Sequence, residues 1–297
     1  MAELGRLLTA MVTPFSGDGA VDYVQARKLA LALLASGSDG LVVCGTTGES
    51  PTLTTEEKLR LFAEVKEVVG SRGAVIAGTG NYSTQESVQL TREAERIGVD
   101  AVMAVVPYYN KPTQEGLFEH FRAIAGSTSL PLIPYNVPAR TITNMTPETT
   151  IRLSQIDNIV GIKEASGNLE QIAKIIQGAR PAFRVWSGND SDTLPVLALG
   201  GYGVISVASH LVGKQIKTMI DRYLDGDTVT AAAMHRDLLP LVDALFIVSN
   251  PIPVKYALNH VGFRSGPLRL PLTEPDAKSA ALIRETVGRY SIDLPVG

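Results

Sequence analysis

The amino-acid sequence predicts an α/β protein, a (β/α)8 TIM barrel followed by a C-terminal helical extension. Two observations support this prediction: short apolar runs recur eight times, and segments with helix start and stop signals lie between them. Continuous apolar runs are typical of parallel strands that are covered on both faces, and parallel strands need a crossover helix between them. A chain of 297 residues, 45% of them hydrophobic, is long enough for one such barrel.

The predicted strands are the apolar runs themselves, because most of them lack the alternation that marks a half-exposed strand. We expect each run to contribute one strand to a parallel sheet covered by helices. In chain order the runs occupy 7–12, 40–45, 74–80, 100–107, 130–138, 159–166, 183–188 and 203–208.

Helices are predicted where a capping side chain precedes a helical segment. Asp22 precedes a segment that ends at Gly37, and Ser83 with Glu86 predicts a capping box. Further helix starts are predicted at Thr54–Thr55, Asn168 and Ser209. A doubly wound open sheet is the alternative fold, but the first strand–helix turn lacks the G-x-G-x-x-G fingerprint expected there.

The barrel would be complete near residue 225, since residues 227–297 show helical patterning without a clear strand. The sequence DGD at 225–227 is the predicted boundary. We therefore expect a barrel catalytic domain over residues 1–225 and a helical extension over residues 226–297.

Composition excludes several classes of function and partner. The net charge is −3 and the isoelectric point is about 5.9, so no basic field favours nucleic acid or an anionic membrane. The longest apolar run is far shorter than a membrane span, and no signal peptide is evident. Because Cys44 is the single cysteine, no intramolecular disulfide is possible, and we expect a reducing, cytoplasmic setting.

The sequence predicts neither a metal nor a nucleotide cofactor. The four histidines are scattered, without the spacing of metal ligands. Phosphate-binding and nucleophile-elbow motifs are likewise missing from the sequence.

Polar residues gather at the predicted strand ends, which is where active sites lie in barrels of this kind. Thr46 and Thr47 follow strand 2 in the turn GTTGES, and Tyr109 follows strand 4. Tyr135 ends strand 5, with Arg140 on the loop beyond it. If the strand predictions hold, these side chains converge on one mouth of the barrel.

Lys163 lies inside the apolar strand IVGIKEAS, where a buried ammonium is costly. One interpretation is an amine nucleophile whose pKa is lowered from about 10.4 towards about 7–8 by desolvation. The other is a structural lysine paired with an acid. Glu164 is not its natural partner, because adjacent strand residues point to opposite faces. The surrounding hydroxyl groups favour the nucleophile.

The other candidates also allow two interpretations each. Tyr135 could relay protons through a threonine hydroxyl, or it could be an ordinary amphipathic residue at a strand end. The turn holding Thr46 and Thr47 could bind a carboxylate through its N–H groups, or it could be an ordinary turn. Arg140 could bind a carboxylate through a bidentate hydrogen bond from its guanidinium, or it could be a solvated loop residue.

Taken together, the motifs GTTGES, PYYNKP, YNVPART, GIKEASGN, SGND, GGYGVISV and NPIPVK resemble the dihydrodipicolinate synthase family. This family belongs to the pyruvate-dependent class I aldolases, which also include N-acetylneuraminate lyase. The resemblance extends from about residue 5 to residue 255. It implies an enzyme that joins pyruvate to L-aspartate 4-semialdehyde in lysine and diaminopimelate biosynthesis, without a cofactor.

The resemblance also implies roles for individual residues. Lys163 would form the Schiff base with pyruvate, and Tyr135 would donate and accept protons in a relay with Thr46 and Tyr109. Thr47 and the backbone at Ile205 would bind pyruvate, and Arg140 would bind the semialdehyde carboxylate. In this family the equivalent of Tyr109 comes from a neighbouring subunit, so a homodimer or a homotetramer built from dimers is implied.

Two competing functions stay open at this stage. One is an aldolase that cleaves a 2-keto-3-deoxy sugar acid or sialic acid, although Arg140 is unusual for a lyase of that kind. The other is a non-catalytic barrel that senses a keto acid, but binding alone needs no nucleophile.

One departure from the family pattern concerns feedback regulation. Glu86 and Tyr108 match the lysine-binding pocket of inhibited members, whereas Thr55, Lys58 and Tyr82 replace two histidines and an asparagine. Lys58 would place a positive charge near a cationic ligand. We therefore predict weak or absent inhibition by lysine.

Overall fold

A computed structural model describes residues 4–296, and its eight strands form a closed barrel in chain order, as the sequence predicts. The barrel strands are β1 Leu7–Ala10, β2 Gly40–Val43, β3 Ala74–Gly78, β4 Ala101–Val105, β5 Leu132–Asn136, β6 Gly161–Glu164, β7 Arg184–Ser187 and β8 Gly203–Ser206. Adjacent strands pair in parallel, for example β5 with β6 and β6 with β7. The doubly wound alternative is therefore wrong.

The helices follow the strands and continue beyond the barrel. They are α1 Tyr23–Ala35, α2 Thr55–Val69, α3 Thr84–Ile97, α4 Gln114–Ala125, α5 Pro138–Thr141, α6 Pro147–Leu153, α7 Leu169–Gly178, α8 Thr193–Ala198, α9 Ser209–Leu224, α10 Thr228–Leu245, α11 Ile252–His260 and α12 Ala277–Val287. The C-terminal helical extension is thus present. Within it, α12 packs against α10 and α11.

The chain divides into two compact units. One comprises Ala74–Ile205 together with the described residues up to Arg6, and the other comprises Leu7–Gly73 and the chain from Ser206 onward. In the first unit, Trp186 is fully buried, and its Nε1 donates a hydrogen bond to the Gly5 carbonyl at 3.0 Å. In the second unit, the Thr9 hydroxyl bonds to the hydroxyls of Ser38 at 2.5 Å and Ser209 at 2.7 Å.

The helix caps differ from the prediction in one respect. Thr54, not Ser83, forms the complete capping box: its hydroxyl accepts from the Glu57 N–H while the Glu57 carboxylate accepts from the Thr54 N–H. Ser83 does cap α3, but the Glu86 carboxylate accepts from the Asn81 side chain instead of the backbone. The box predicted at α3 is therefore only half formed. Asp22 and Asn168 cap α1 and α7 as predicted.

No helix between residues 4 and 296 combines the length and the apolar character needed to cross a membrane.

Candidate active site

Lys163 lies on β6 and is buried, with 5% of its surface exposed. Its Nζ lies 4.2 Å from the centre of the Tyr135 ring. The two residues are direct cross-strand partners, because Tyr135 on β5 pairs with Lys163 in the strand register. The structure therefore places the predicted nucleophile against the predicted proton-transfer residue.

The surroundings of Lys163 favour the neutral amine. Burial lowers the pKa of Lys163 to about 8, with the nearby Asp190 carboxylate opposing the shift and the Arg140 guanidinium adding to it. A lysine with a pKa near neutrality carries a substantial fraction of free amine, which is the form that attacks a carbonyl. Asp190 ends the motif SGND, which by itself predicts no role for this carboxylate.

Glu164 is not the partner of Lys163, as the alternation of strand side chains predicts. It is 1% exposed, and its carboxylate accepts hydrogen bonds from Asn136 Nδ2 at 3.1 Å, the Ser166 N–H at 2.8 Å and Gln171 Nε2 at 3.3 Å. Burial raises the pKa of Glu164, and these hydrogen bonds oppose the rise. Glu164 is thus not the acid that faces Lys163.

Arg140 lies in α5, the single helical turn that follows β5. Its N–H donates to the Val137 carbonyl at 2.9 Å, and the residue is exposed. The guanidinium is close enough to Lys163 to lower the pKa of that amine. A fixed cation in this position also suits an anionic substrate. Ile205, on β8 of the same unit, is buried, with 1% of its surface exposed.

Tyr109 does not pack into its own chain. It is 93% exposed and adopts a left-handed backbone conformation with φ of 72° in the loop between β4 and α4. Ile142, beyond Arg140, is 71% exposed and is also left-handed, with φ of 61°. Two large exposed side chains on left-handed residues are unusual, because this conformation is costly for residues other than glycine.

In the other unit, Thr46 and Thr47 lie in the turn after β2, and non-glycine residues in left-handed conformations flank this turn. Cys44 and Glu49 both have a φ of 56°. Thr47 is 3% exposed, and its hydroxyl accepts from Asn250 Nδ2 at 3.0 Å. The Gly48 carbonyl accepts from the Thr13 hydroxyl at 2.7 Å. The turn is therefore held by several hydrogen bonds.

Glu49 forms a buried ion pair with Lys255, with an N···O distance of 2.8 Å and side-chain exposures of 0% and 1%. Burial lowers the pKa of Lys255, and Glu49 opposes the shift. Glu49 lies in the motif GTTGES, and Asn250 and Lys255 lie in the motif NPIPVK. The sequence alone does not predict their pairing, because the paired residues are 203 and 206 positions apart.

Other nucleophiles and bases are poor candidates. Burial raises the pKa of the Cys44 thiol, so the reactive thiolate is disfavoured. Burial lowers the pKa of both His120 and His210 to about 4. The ring of His210 accepts from the Val12 N–H at 3.1 Å and bonds to the Val207 carbonyl at 2.8 Å. In the portion of the chain with described structure, no group of three metal-ligating side chains occurs.

Comparisons with known proteins by family profile, by sequence and by structure all find the same family. The sequence profile of the dihydrodipicolinate synthetase family matches residues 3–288. The chain is 69% identical over 296 residues to a 4-hydroxy-tetrahydrodipicolinate synthase of Dehalococcoides mccartyi, covering 100% of both chains. The solved dihydrodipicolinate synthase from Bacillus anthracis is 45% identical, with a TM-score of 0.96, and the match covers 98% of this chain and 99% of that one. The enzyme from Cyanidioschyzon merolae, solved with lysine bound, is 47% identical, with a TM-score of 0.95 and coverage of 97% and 99%.

Proposed function

The chain belongs to the dihydrodipicolinate synthetase family, as its motifs predict, and from this premise we propose that it condenses pyruvate with L-aspartate 4-semialdehyde through a lysine Schiff base. The product, 4-hydroxy-tetrahydrodipicolinate, feeds diaminopimelate and L-lysine synthesis. The buried amine of Lys163, 4.2 Å from the Tyr135 ring centre, is the observation on which the proposal rests. The names of the relatives favour this reaction over sialic-acid or sugar-acid cleavage.

The proposed chemistry begins with the neutral amine of Lys163 attacking the ketone carbon of pyruvate. Loss of water gives a protonated imine, and loss of a methyl proton then gives an enamine. The enamine carbon attacks the aldehyde carbon of the second substrate. The amino group of that substrate finally attacks the imine carbon, which releases Lys163 and closes the ring. The protonated imine serves as the electron sink throughout.

Tyr135 is the proposed proton donor and acceptor for these steps. It is 5% exposed and lies against the reactive amine, so its hydroxyl is shielded from bulk water. The family resemblance assigns Thr46 and Tyr109 to the same relay, and it assigns Thr47 and Ile205 to pyruvate binding. Arg140 is the proposed ligand of the semialdehyde carboxylate.

We propose a homotetramer built from dimers. The 93% exposure of Tyr109 supports it, because this side chain is available to a neighbouring subunit. A tetramer of this symmetry needs a second surface, and Leu169 and Leu199 are apolar side chains that are 41% and 37% exposed. Analytical ultracentrifugation should give the mass of a tetramer. Tyr109→Phe should lower turnover and leave the tetramer intact. A monomer with full activity would contradict the assignment of Tyr109.

The first experiment measures pyruvate-dependent consumption of L-aspartate 4-semialdehyde by the purified protein. We expect turnover that Lys163→Ala abolishes and that Lys174→Ala, a change at an exposed lysine of α7, leaves intact. Borohydride trapping with pyruvate should label the wild-type chain but not the Lys163 variant. Trapping without semialdehyde turnover would move the assignment to a sugar-acid aldolase. Absence of both would favour a keto-acid sensor.

Arg140 can be tested separately from Lys163. We expect Arg140→Ala to raise the KM for the semialdehyde by about tenfold or more, since a charge-assisted carboxylate contact contributes roughly 1.5–3 kcal/mol. The KM for pyruvate should change much less. Equal losses for both substrates would contradict this assignment.

Regulation by lysine is proposed to be weak or absent. The reason is Lys58, which the resemblance places where inhibited relatives carry other residues, since its charge would oppose a cationic ligand. The Cyanidioschyzon merolae enzyme, which was solved with lysine bound, is a positive control for lysine binding. Strong inhibition of this chain at sub-millimolar lysine would overturn the proposal.

We propose that the reaction takes place in the cytoplasm. The support is the single cysteine, Cys44, which is a buried free thiol, as is usual in a reducing compartment.

A further inference from the structure

Glu164 is a buried carboxylate whose role the proposed chemistry leaves unexplained. It follows Lys163 directly and points to the other face of β6. Its bonded partners are neutral: the amides of Asn136 and Gln171 and the N–H of Ser166. A buried carboxylate is costly unless it is hydrogen-bonded, and here it is the common acceptor of three buried donors.

Asn136 joins this carboxylate to the chain beyond Arg140. Its Nδ2 donates to Glu164 and to Asn144 Oδ1 at 2.8 Å, and its Oδ1 accepts from the Met145 N–H at 3.0 Å. Asn136 is fully buried at the end of β5. Its side chain therefore ties the start of the segment 137–145 to the end of that segment, and Arg140 lies between the two points.

Gln171 on α7 completes the hydrogen-bond network. Its Oε1 accepts from Asn144 Nδ2 at 2.9 Å, and its Nε2 donates to the Met145 carbonyl at 3.3 Å and to Glu164. Each side-chain amide thus uses both its oxygen and its nitrogen. Because the hydrogen-bonding groups of these amides are paired, the network favours a single arrangement of the loop base.

The strand register connects this network to the reactive residues. Tyr135 pairs with Lys163, and one position later Asn136 pairs with Glu164. Because successive strand residues face opposite ways, the reactive pair occupies one face of the two strands and the amide–carboxylate pair occupies the other. The base of the Arg140 loop is therefore fixed to the same two strands that carry the nucleophile and the proton-transfer residue.

We propose that Glu164 and Asn136 are positioning residues that hold the base of the loop 137–145 and thereby aim Arg140 at the semialdehyde carboxylate. The inference rests on the proposed function. Arg140 sits on a single helical turn within this loop, so a shift of the loop base would also shift its guanidinium. Positioning of this kind determines how well a substrate is oriented for reaction.

The test compares Glu164→Gln with the swapped pair Glu164→Gln/Asn136→Asp. The single variant sets the new amide nitrogen against Asn136 Nδ2, so two donors face each other. The swap keeps one carboxyl and one amide and restores a donor opposite an acceptor between positions 136 and 164. Reversal of the Asn144 amide then presents its Nδ2 to the new carboxylate in place of the bond from Asn136 Nδ2. We expect Glu164→Gln to raise the KM for the semialdehyde between about tenfold and a hundredfold, and the swap to recover most of that loss. The KM for pyruvate and the borohydride trapping rate should change less than about twofold.

One further variant tests the proposal if Glu164→Gln folds poorly, and a second variant is its control. Asn144→Ala removes the exposed edge of the network without changing either strand and should raise the semialdehyde KM severalfold. Glu170→Gln, at an exposed glutamate on α7, is the matched control and should behave as wild type. Hydrogen exchange at the Met145 amide should accelerate in Glu164→Gln and return towards the wild-type rate in the swap.

The outcomes separate this inference from the proposed function. An unchanged semialdehyde KM in both Glu164→Gln and Asn144→Ala would overturn it, and so would equal losses for both substrates. If wild type itself fails to consume semialdehyde, the proposed function fails. Exchange at Met145 would then still show whether the network holds the loop.

Discussion

Replacing Lys255 by methionine should destabilise the protein strongly, because it breaks a fully buried ion pair. The Lys255 ammonium donates to Glu49 Oε1 at 2.8 Å, to the Pro267 carbonyl at 2.6 Å and to the Thr13 carbonyl at 3.0 Å. It also lies 4.2 Å from the centre of the Phe15 ring. Methionine fills a similar volume but donates no hydrogen bond. The variant would therefore leave a carboxylate and two carbonyls short of a donor.

The expected loss is about 3–5 kcal/mol of unfolding free energy, the range for removing one partner of a buried pair. Glu49 keeps the Arg269 N–H as a donor at 3.0 Å, which places the estimate towards the lower end of that range. The loss is large beside the ~5–15 kcal/mol of total stability usual for globular proteins. Because Glu49 ends the Thr46–Thr47 turn, activity should fall as well.

Urea unfolding followed by circular dichroism measures the effect. Lys174→Met is the matched control, because Lys174 pairs with Glu170 on the surface of α7, and we expect no measurable change there. The double variant Glu49→Gln/Lys255→Met should lose less than the sum of its single changes, since neither charge is left alone. A Lys255→Met protein within about 1 kcal/mol of wild type would show that the buried ion pair contributes little to stability.

Three further predictions concern Lys163 and the barrel interior. The rate of pyruvate trapping should rise with pH, with a midpoint near the Lys163 pKa of about 8. Asp190→Asn should lower this midpoint and Arg140→Ala should raise it, whereas a wild-type midpoint near 10 would contradict the assignment of a buried amine. At pH 7, the unfolding free energy of Lys163→Met in urea should exceed that of wild type by about 3 kcal/mol, because the pKa of Lys163 falls from 10.5 in the unfolded chain to about 8 in the folded state. Wild-type stability rises with pH between these two values, so the advantage of the variant should shrink over that window, and a constant advantage would point to packing alone. Gly161→Ala should lower the melting temperature, since the added Cβ would lie 2.2 Å from the Arg184 carbonyl oxygen and 2.7 Å from Trp186. The control Gly17→Ala, where a Cβ would meet open space, should leave it unchanged. Equal melting temperatures for the two variants would show that β6 and β7 can separate at this point.

The strands were predictable because burial on both faces leaves a continuous apolar run. The predicted ends were too long, since Val106 and Val137 are buried just beyond the ends of β4 and β5 and look the same in a sequence as strand residues. Lys163 was predictable because a charged residue interrupts such a run. The partners of Thr47 and Glu49 were not predictable, because Asn250 and Lys255 are distant in sequence and only folding brings them together.

The placement of the capping box shows a second limit of the same kind. Both T-T-E-E at α2 and S-T-Q-E at α3 satisfy the local pattern, yet only Glu57 returns to the backbone of its own cap. Glu86 bonds to Asn81 instead, at 2.8 Å, and the competing donor comes from the loop before the cap. A local motif therefore predicts the position of a helix start more reliably than the bonds that form there.

Alternation along the strands explains why the proposed reactive residues and their supporting polar residues are neighbours in this sequence. Lys163 and Tyr135 face one way, and their following residues, Glu164 and Asn136, face the other. Two adjacent changes on β6 should then have opposite signatures. Lys163→Met would abolish trapping and raise stability, whereas Glu164→Gln would preserve trapping and weaken use of the second substrate. Measured together, the pair would separate the chemistry of the site from the structure that aims it.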